Sequence, residues 1–261
     1  MAASLFDTHC HLTFPELLGD SDRLVAEAAE AGVTRILTVA CGVREIAPAL
    51  DLAGKHAGVY VAAGIHPHEA AGCDEAWLAA LAEAWQHPKM AACGEMGLDY
   101  HYDFSPRDVQ RAVFHRQLEL AAAAGRPVVV HCREAHDDVV GILREHGLVG
   151  RPVVFHCFSG TAAQAAQLRS FGWHVSFTGV ITFRKAVQQR EACRQTPPSV
   201  LMFETDAPYL SPEPVRGMRP NVPANLVHTV RFAAELHGMP FEELAESSTR
   251  QALRFYGLEG R

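Results

Sequence analysis

The stretch Phe6-Asp7-Thr8-His9-Cys10-His11 places two histidines at the end of a short apolar run. The run has the character of a buried β-strand, in which side chains at positions i and i+2 point to the same side. His9 and His11 therefore project together, as two imidazoles must in order to bind one metal ion. A pair of ordinary histidines near a chain terminus has the same local pattern, so the remainder of the chain must decide between the two interpretations.

The rest of the chain alternates between short β-branched runs and longer amphipathic or alanine-rich stretches. The short runs predict strands at Leu5–His9, Arg35–Ala40, Val59–Ile65, Met90–Glu95, Val128–His131, Val153–His156, His174–Phe177 and Val200–Glu204. The longer stretches predict helices at Ser21–Ala31, Val43–His56, Asp74–Gln86, Ser105–Ala124, Ala135–Glu145, Thr161–Phe171, Thr182–Arg194, Pro223–Leu236 and Phe241–Tyr256. Eight strand–helix units in order are typical of an α/β fold whose parallel strands close into a (β/α)8 TIM barrel. We expect a single domain over residues 1–261, with one long loop at Ser211–Pro223.

The composition limits the classes of function. The 48% hydrophobic and 20% charged residues are typical of a soluble enzyme. No apolar run approaches the roughly 20 residues that cross a bilayer, and the N-terminus lacks a signal-peptide pattern, so we expect a cytoplasmic protein without a membrane partner. The seven cysteines form no Cys-x-x-Cys pair, which favours reduced thiols. With a net charge of −7, the chain must hold any polyanion locally, and nothing in it indicates an obligate protein partner.

Polar side chains stand where the predicted strands end, and in a barrel these ends form the active-site rim. The residues concerned are His9, His11, His66, His68, Glu95, His131, His156, Glu204 and Asp206. Imidazoles and carboxylates in this number suit two divalent ions about 3.5–4 Å apart, bridged by a carboxylate. Mixed ligands of this kind fit Mg, Mn, Zn or Ni. We interpret the neighbouring Cys10, Cys132 and Cys157 as small buried side chains that point away from the site.

Several motifs together resemble those of the TatD family of metal-dependent deoxyribonucleases, which belongs to the amidohydrolase-like TIM barrels. They are His9-Cys10-His11, Gly94-Glu95-Met96-Gly97-Leu98-Asp99-Tyr100, Val130-His131-Cys132-Arg133, Phe155-His156-Cys157-Phe158-Ser159-Gly160 and Glu204-Thr205-Asp206-Ala207-Pro208-Tyr209-Leu210. The resemblance runs from Asp7 to about Leu258, with the motifs in order. It implies hydrolysis of DNA phosphodiester bonds, commonly exonucleolytic, at a divalent-metal site.

The resemblance also implies roles for individual residues. One metal ion would be bound by His9, His11 and Asp206, and a second by His131 and His156, with Glu95 shared between them. His66 is similar to a family histidine that lies close to the scissile phosphate. Two positions depart from the family pattern: the step from Arg216-Gly217 to Asn221 is one residue longer, and Gln251 replaces a common Asn.

These assignments give a mechanistic hypothesis. The metal ions activate a water, Asp206 accepts its proton, and Glu95 bridges the ions. His66 holds a phosphate oxygen or protonates the leaving group, and Arg133 pairs with a phosphate or is an ordinary surface arginine. The substrate would be DNA that is single-stranded or presents a chain end. Aromatic residues of the loops either stack on unpaired bases or pack within the loops, namely Tyr100, Tyr102, Phe104, Phe158 and Tyr209.

Other functions remain open. A hydrolase of cyclic amides or lactones often bridges its metals with a carboxylated lysine on strand four, but here Glu95 occupies that place and Lys89 lies at the opposite end. A hydrolase that acts on another ester or amide, such as a nucleic-acid-linked ester, fits the same ligands. A metal-bearing scaffold without activity is the non-enzymatic alternative, although all six ligand positions are filled.

Overall fold

The computed structural model describes residues 4–260, and within them eight parallel strands follow one another in chain order around a barrel. The strands are β1 (Leu5–Cys10), β2 (Val33–Ala40), β3 (Val59–Ala63), β4 (Met90–Asp99), β5 (Val128–Arg133), β6 (Val153–Phe155), β7 (His174–Phe177) and β8 (Met202–Phe203). The predicted single-domain (β/α)8 barrel is therefore confirmed. The ends of the predicted domain, residues 1–3 and 261, lie outside the described residues.

Helices cover the outer face of the barrel. They are α1 (Pro15–Leu18), α2 (Ser21–Glu30), α3 (Val43–Lys55), α4 (Glu75–Ala84), α5 (Arg107–Ala124), α6 (His136–Glu145), α7 (Ala162–Ser170), α8 (Val187–Gln195), α9 (Leu226–His237) and α10 (Phe241–Phe255). Short 3-10 helices occupy Pro67–Gly72, Gly179–Thr182, Pro198–Val200 and Pro223–Asn225. No helix of residues 4–260 combines the length and the apolar character needed to span a bilayer.

The boundaries of several elements differ from the predicted ones. The helix predicted at Thr182–Arg194 begins only at Val187, because residues 179–182 form a separate 3-10 turn. The helix predicted from Ser105 begins at Arg107, since Pro106 fixes the start of α5. The eighth strand is two residues long rather than the predicted Val200–Glu204, and Val200 belongs to another 3-10 turn, Pro198–Val200.

The prediction that each strand stops at its functional residue is wrong for β4 and β5. Each of these strands continues beyond that residue, and β4 continues for four residues past Glu95. In β4 the pairing with β5 shifts between Cys93 and Met96 and then resumes as far as Asp99. Such a bulge turns one side chain inward without ending the ladder.

The barrel closes between β8 and β1 through hydrogen bonds that reach beyond the short eighth strand. The backbone N–H of Asp206 donates to the His9 carbonyl at 2.9 Å, and that of His11 donates to the Ala207 carbonyl at 2.7 Å. Thr205 donates from its backbone and its hydroxyl to the buried carboxylate of Asp7, at 2.9 and 2.6 Å. The histidines of β1 are therefore held in a fixed register beside Asp206.

The lower part of the barrel interior is apolar. Leu37 and Val39 of β2 belong there to one cluster with Tyr60 of β3 and Val129 of β5. Phe255 and Tyr256 at the end of α10 complete it. A second apolar cluster joins the outer faces of the strands to the helices. Since both clusters exclude water, the titratable side chains that the strands direct inward are gathered at the upper rim.

Candidate metal centre

His9 and His11 lie side by side at the top of β1 and are buried. The Nε2 atoms of the two rings are 3.3 Å apart. The Nδ1 atom of His11 lies 3.3 Å from the Val39 carbonyl, which can only accept a hydrogen bond, so the ring proton belongs on Nδ1. The lone pair on Nε2 of His11 therefore faces His9 and is available to a cation.

Asp206 completes this first group of ligands. Its Oδ1 atom lies 3.3 Å from His11 Nε2 and 3.9 Å from His9 Nε2. Ligands bound about 2.1 Å from a tetrahedral ion are separated by about 3.4 Å, so these spacings fit one divalent cation. The backbone of Asp206 is left-handed, with φ of 53°.

Glu95 faces two groups of histidines at once. Its Oε2 atom lies 3.2 Å from Nε2 of His9. Its Oε1 atom lies 2.7 Å from Nδ1 of His131 and 2.6 Å from Nε2 of His156. One carboxylate thus contacts imidazoles from three strand ends with its two oxygens, an arrangement suited to bridging two ions.

The glycines beside Glu95 allow β4 to approach its neighbour closely. Gly94 and Gly97 have φ values of +130° and +149°, a region that residues with a Cβ atom rarely adopt. A Cβ at Gly94 would overlap the Val129 carbonyl, and one at Gly97 would overlap the His131 carbonyl. The Gly-Glu-Met-Gly sequence is therefore a structural requirement for placing this carboxylate.

Asp99 orients the ring of His131 through Nε2, the ring nitrogen that does not face Glu95. Its Oδ2 atom lies 3.0 Å from Nε2 of His131 and 3.0 Å from Nε2 of His68. Its Oδ1 atom accepts hydrogen bonds from the backbone N–H groups of His101 and Tyr102, both at 2.9 Å. A carboxylate in this position keeps the proton of His131 on Nε2 and leaves the lone pair of Nδ1 directed at Glu95.

Glu204 lies beside His156, at a longer distance. Its Oε1 atom accepts a hydrogen bond from the backbone N–H of Cys157 at 2.5 Å and lies 3.5 Å from Nδ1 of His156. Its Oε2 atom accepts a hydrogen bond from Ser176 at 2.6 Å. The structure thus places both Asp99 and Glu204 in contact with candidate ligands.

His66 lies among the ligands but has the opposite hydrogen-bonding role. Its Nδ1 atom accepts a hydrogen bond from the backbone N–H of His68 at 3.1 Å, so the proton of the neutral ring is on Nε2. That Nε2 atom lies 3.2 Å from Nδ1 of His131 and 3.4 Å from Oε1 of Glu95. Burial lowers the pKa of His66 to about 4, which favours the neutral ring. His66 therefore presents a hydrogen-bond donor to the centre of the site.

The carboxylates are ionised in spite of their burial. Burial favours the neutral acid, but the surrounding imidazoles hold the pKa of Glu95 well below its ordinary value. Burial and His11 oppose each other in the same way at Asp206, whose pKa is also lowered. The donor set of ionised carboxylates and closely spaced, lone-pair-bearing imidazoles is that of a divalent-metal site.

The centre opens into a cavity of about 680 Å³. Arg133, at the end of β5, lies in the wall of this cavity and is exposed. Cys132 and Cys157 also line the wall, which the sequence analysis did not expect. Cys157 follows the end of β6 and has a φ of 45°, so the strand alternation on which that expectation depended does not extend to it.

Cys41 is a neighbour of the centre that the sequence analysis missed. Its Sγ atom lies 3.6 Å from Glu95 Oε2 and 3.6 Å from His11 Nδ1. It directly follows β2, so the rule that located the other residues at strand ends could have found it. A cysteine among apolar residues is an inconspicuous signal, because buried free cysteines usually serve only as small apolar side chains.

The chain is similar to known proteins over almost its whole length. A family model described as "TatD related DNase" matches residues 6–257. The chain is 38% identical to the "Uncharacterized metal-dependent hydrolase YabD" of Bacillus subtilis, covering 97% of this chain and 98% of that protein. It is 34% identical to the "3'-5' ssDNA/RNA exonuclease TatD" of Enterobacter lignolyticus, with coverage of 97% and 99%.

Among solved structures, the chain is similar to YJJV, a TatD homologue from Escherichia coli, with a TM-score of 0.92 and 31% identity over 98% of this chain and 99% of that one. The resemblance noted in the sequence is therefore confirmed over almost the whole chain. The protein belongs to the TatD family of metal-dependent hydrolases.

Proposed function

We propose that the protein is a deoxyribonuclease that hydrolyses phosphodiester bonds of DNA, acting exonucleolytically on single strands or chain ends, with two divalent ions in its site. The observation that carries the proposal is the position of Glu95, whose two oxygens face different groups of imidazoles. The exonuclease name of the Enterobacter lignolyticus relative supports a nucleic-acid substrate.

Each ion has its own ligands in this proposal. His9, His11 and Asp206 would hold one ion, His131 and His156 the other, and Glu95 both. Divalent ions such as Mg, Mn, Zn or Ni supply Lewis-acid stabilisation of phosphoryl oxygens and lower the pKa of water. The protein's own contribution is to fix the ligands in place and to position the substrate.

Asp206 is the residue best placed to orient the attacking water and accept its proton. Its side chain is 13% exposed, whereas that of Glu95 is 3% exposed, so Asp206 is the carboxylate that water in the cavity can reach. The contact of its Oδ1 atom with His11 fixes the direction of the carboxylate. A general base must lie within hydrogen-bond reach of the proton that it removes.

His66 and Arg133 would act on the substrate phosphate. The Nε2–H group of His66 can donate to a phosphoryl oxygen or to the leaving oxygen. Arg133 has no ion pair or side-chain hydrogen bond within residues 4–260, and its guanidinium is free to bind a phosphate in the cavity.

The position of Lys89 argues against a site bridged by a carboxylated lysine. Its Nζ atom donates hydrogen bonds to the carbonyl groups of His56, Ala57 and Val59, at 3.0 to 3.1 Å. These contacts hold the residue at the start of β4, away from Glu95. A hydrolase acting on a nucleic-acid-linked ester uses the same ligands, and the choice of substrate in the assay separates it from the proposed nuclease.

The test is a nuclease assay on metal-stripped protein reloaded with Mg, Mn, Zn or Ni. We expect degradation of end-labelled single-stranded DNA, and a loss of at least about 100-fold in kcat for Asp206→Asn. His115→Ala is the control, because His115 pairs with His146 on the outer helices. Circular dichroism should show folded protein in both variants. Undiminished cleavage by Asp206→Asn, or cleavage of ester-linked nucleic acid but not DNA, would contradict the proposal.

A further inference from the structure

Two aromatic side chains stand exposed at the edge of the cavity in the loop between β4 and α5. The exposed fractions are 56% for Tyr102 and 68% for Phe104. The two rings stack on each other, with centroids 5.5 Å apart and planes inclined by 21°. Both rings line the cavity that contains Glu95 and Asp206. Exposed aromatic rings that lie side by side in a cavity wall are typical of a binding site, because a bound partner would remove their apolar surface from water.

The loop that carries the pair is held rigidly. Arg107 bonds to both carboxylate oxygens of Asp103 and to the Tyr100 carbonyl, each at 2.9 Å. Gln110, which is buried, donates to the Asp99 and Ser105 carbonyls at 3.0 and 2.8 Å. An ordered loop that still presents its aromatic residues to solvent is preorganised for binding.

The pair is also fixed relative to the metal centre. The ring of His68 lies edge-on to Phe104, at 4.7 Å between centroids, and edge-on to Tyr102, at 5.6 Å. His68 shares the Oδ2 atom of Asp99 with His131, and Oδ1 of Asp99 accepts the backbone N–H of Tyr102. One carboxylate therefore sets the position of both a candidate ligand and the aromatic pair.

The chemistry of this surface selects a flat, uncharged group. The neighbouring Arg107 is already paired with Asp103, and the exposed Glu134 adds negative charge through its contact with His101. A phosphate is therefore drawn to the metal centre and Arg133 rather than to the aromatic pair. Nucleobases stack on aromatic side chains irrespective of sequence.

From these observations we infer that Tyr102 and Phe104 form a stacking platform for one unpaired nucleobase adjoining the scissile phosphate. The inference rests on the proposed nuclease function and extends it to substrate selection. A base within a duplex is stacked and paired, so it cannot reach the platform without being separated from its partner. The platform thereby favours single strands and frayed ends over intact duplexes.

The test compares two single-stranded oligonucleotides that differ only in their terminal nucleotides. In one of them the two nucleotides at each end lack their bases. For Phe104→Leu and Tyr102→Leu we expect kcat/KM on the base-bearing oligonucleotide to fall by about 5- to 150-fold, the range of base–aromatic stacking. On the abasic oligonucleotide the same substitutions should change kcat/KM by less than about twofold, because no base is present to stack.

Two further variants serve as controls. Phe104→Tyr keeps an aromatic ring and should retain most of the wild-type kcat/KM. Leu18→Ala alters an exposed apolar residue outside the cavity and should leave both substrates unaffected. If the leucine variants lose kcat/KM equally on both oligonucleotides, or lose none although the wild type cleaves both, the stacking platform is wrong while the proposed function stands. If the wild type cleaves neither oligonucleotide with any metal, the proposed function fails, and the platform fails with it.

Discussion

His66 and His131 are neighbouring imidazoles with opposite hydrogen-bonding roles. Nδ1 of His66 accepts a backbone N–H, which leaves a proton on Nε2, whereas Nε2 of His131 faces a carboxylate and leaves the lone pair on Nδ1. We therefore expect His66→Ala to lower kcat by about 10²- to 10⁴-fold while metal content is unchanged. His131→Ala should reduce the metal content itself. Elemental analysis beside the kinetic assay separates the two, and loss of metal from His66→Ala would show that His66 is a ligand.

Asp99 offers a test of imidazole orientation. In Asp99→Asn the side-chain oxygen can still accept the N–H groups of residues 101 and 102, but an amide N–H can face Nε2 of His131. The ring proton would then move to Nδ1 and remove the lone pair directed at the metal. We expect metal affinity to fall by about 10- to 100-fold, measured by competition with a chelator of known affinity. An unchanged metal affinity would mean that Asp99 only holds the loop after β4, through its hydrogen bonds with the backbone of residues 101 and 102, and does not orient His131.

Sequence alone identified the residues at the centre more completely than their roles. Histidines and carboxylates after apolar runs are conspicuous, and the structure brings together His9, His11, Glu95, His131, His156 and Asp206. The donor role of His66 depends on a backbone N–H two residues along the chain, which no spacing rule shows. Cys41 escaped notice because its residue type is ordinary in a buried position.

Strand β4 depends on glycine for its path. Gly97 has a φ of +149°, and a Cβ there would overlap the His131 carbonyl of β5. We expect Gly97→Ala to lower the free energy of unfolding by about 3 kcal/mol or more, through backbone strain and steric overlap. Gly141→Ala is the matched control, since Gly141 lies within α6 with open space around it, and it should stabilise by up to about 1 kcal/mol. Urea unfolding measures both, and equal effects would contradict the close approach.

The order of the strands and helices followed from periodicity, but the detail of β4 did not. The fourth strand was predicted as Met90–Glu95, because its apolar run stops at a polar residue. The observed strand continues because the bulge lets Met96 pair with Val130 and Asp99 with Arg133. Register shifts of this kind depend on the neighbouring strand, and a single stretch of sequence does not contain that information. The same limitation applies to β8, whose short ladder is extended by the hydrogen bonds that Asp206 donates to His9 and His11 donates to Ala207.

We expect the barrel as a whole to gain stability from bound metal without depending on it for folding. The ligands come from several strands, while the apolar interior below them needs no ion. Stripped protein should therefore remain folded, with a lower melting temperature. At metal concentrations about 100 times Kd, binding adds about 2.7 kcal/mol, or roughly 5–10 °C for a chain of this size. Calorimetry with and without chelator measures the shift, with Glu95→Gln as the variant expected to lose most of it. Unfolding of the stripped protein would contradict this account.

The central claim is that Glu95 joins two divalent ions in one site. The most direct measurement is elemental analysis of metal-stripped protein after saturation with a single divalent metal and removal of the excess. We expect two ions per chain in the wild type, and a lower stoichiometry in Glu95→Gln, whose amide cannot bridge cations as a carboxylate does. A wild-type chain that saturates at one ion, or a Glu95→Gln variant that binds two with unchanged affinity, would contradict the claim.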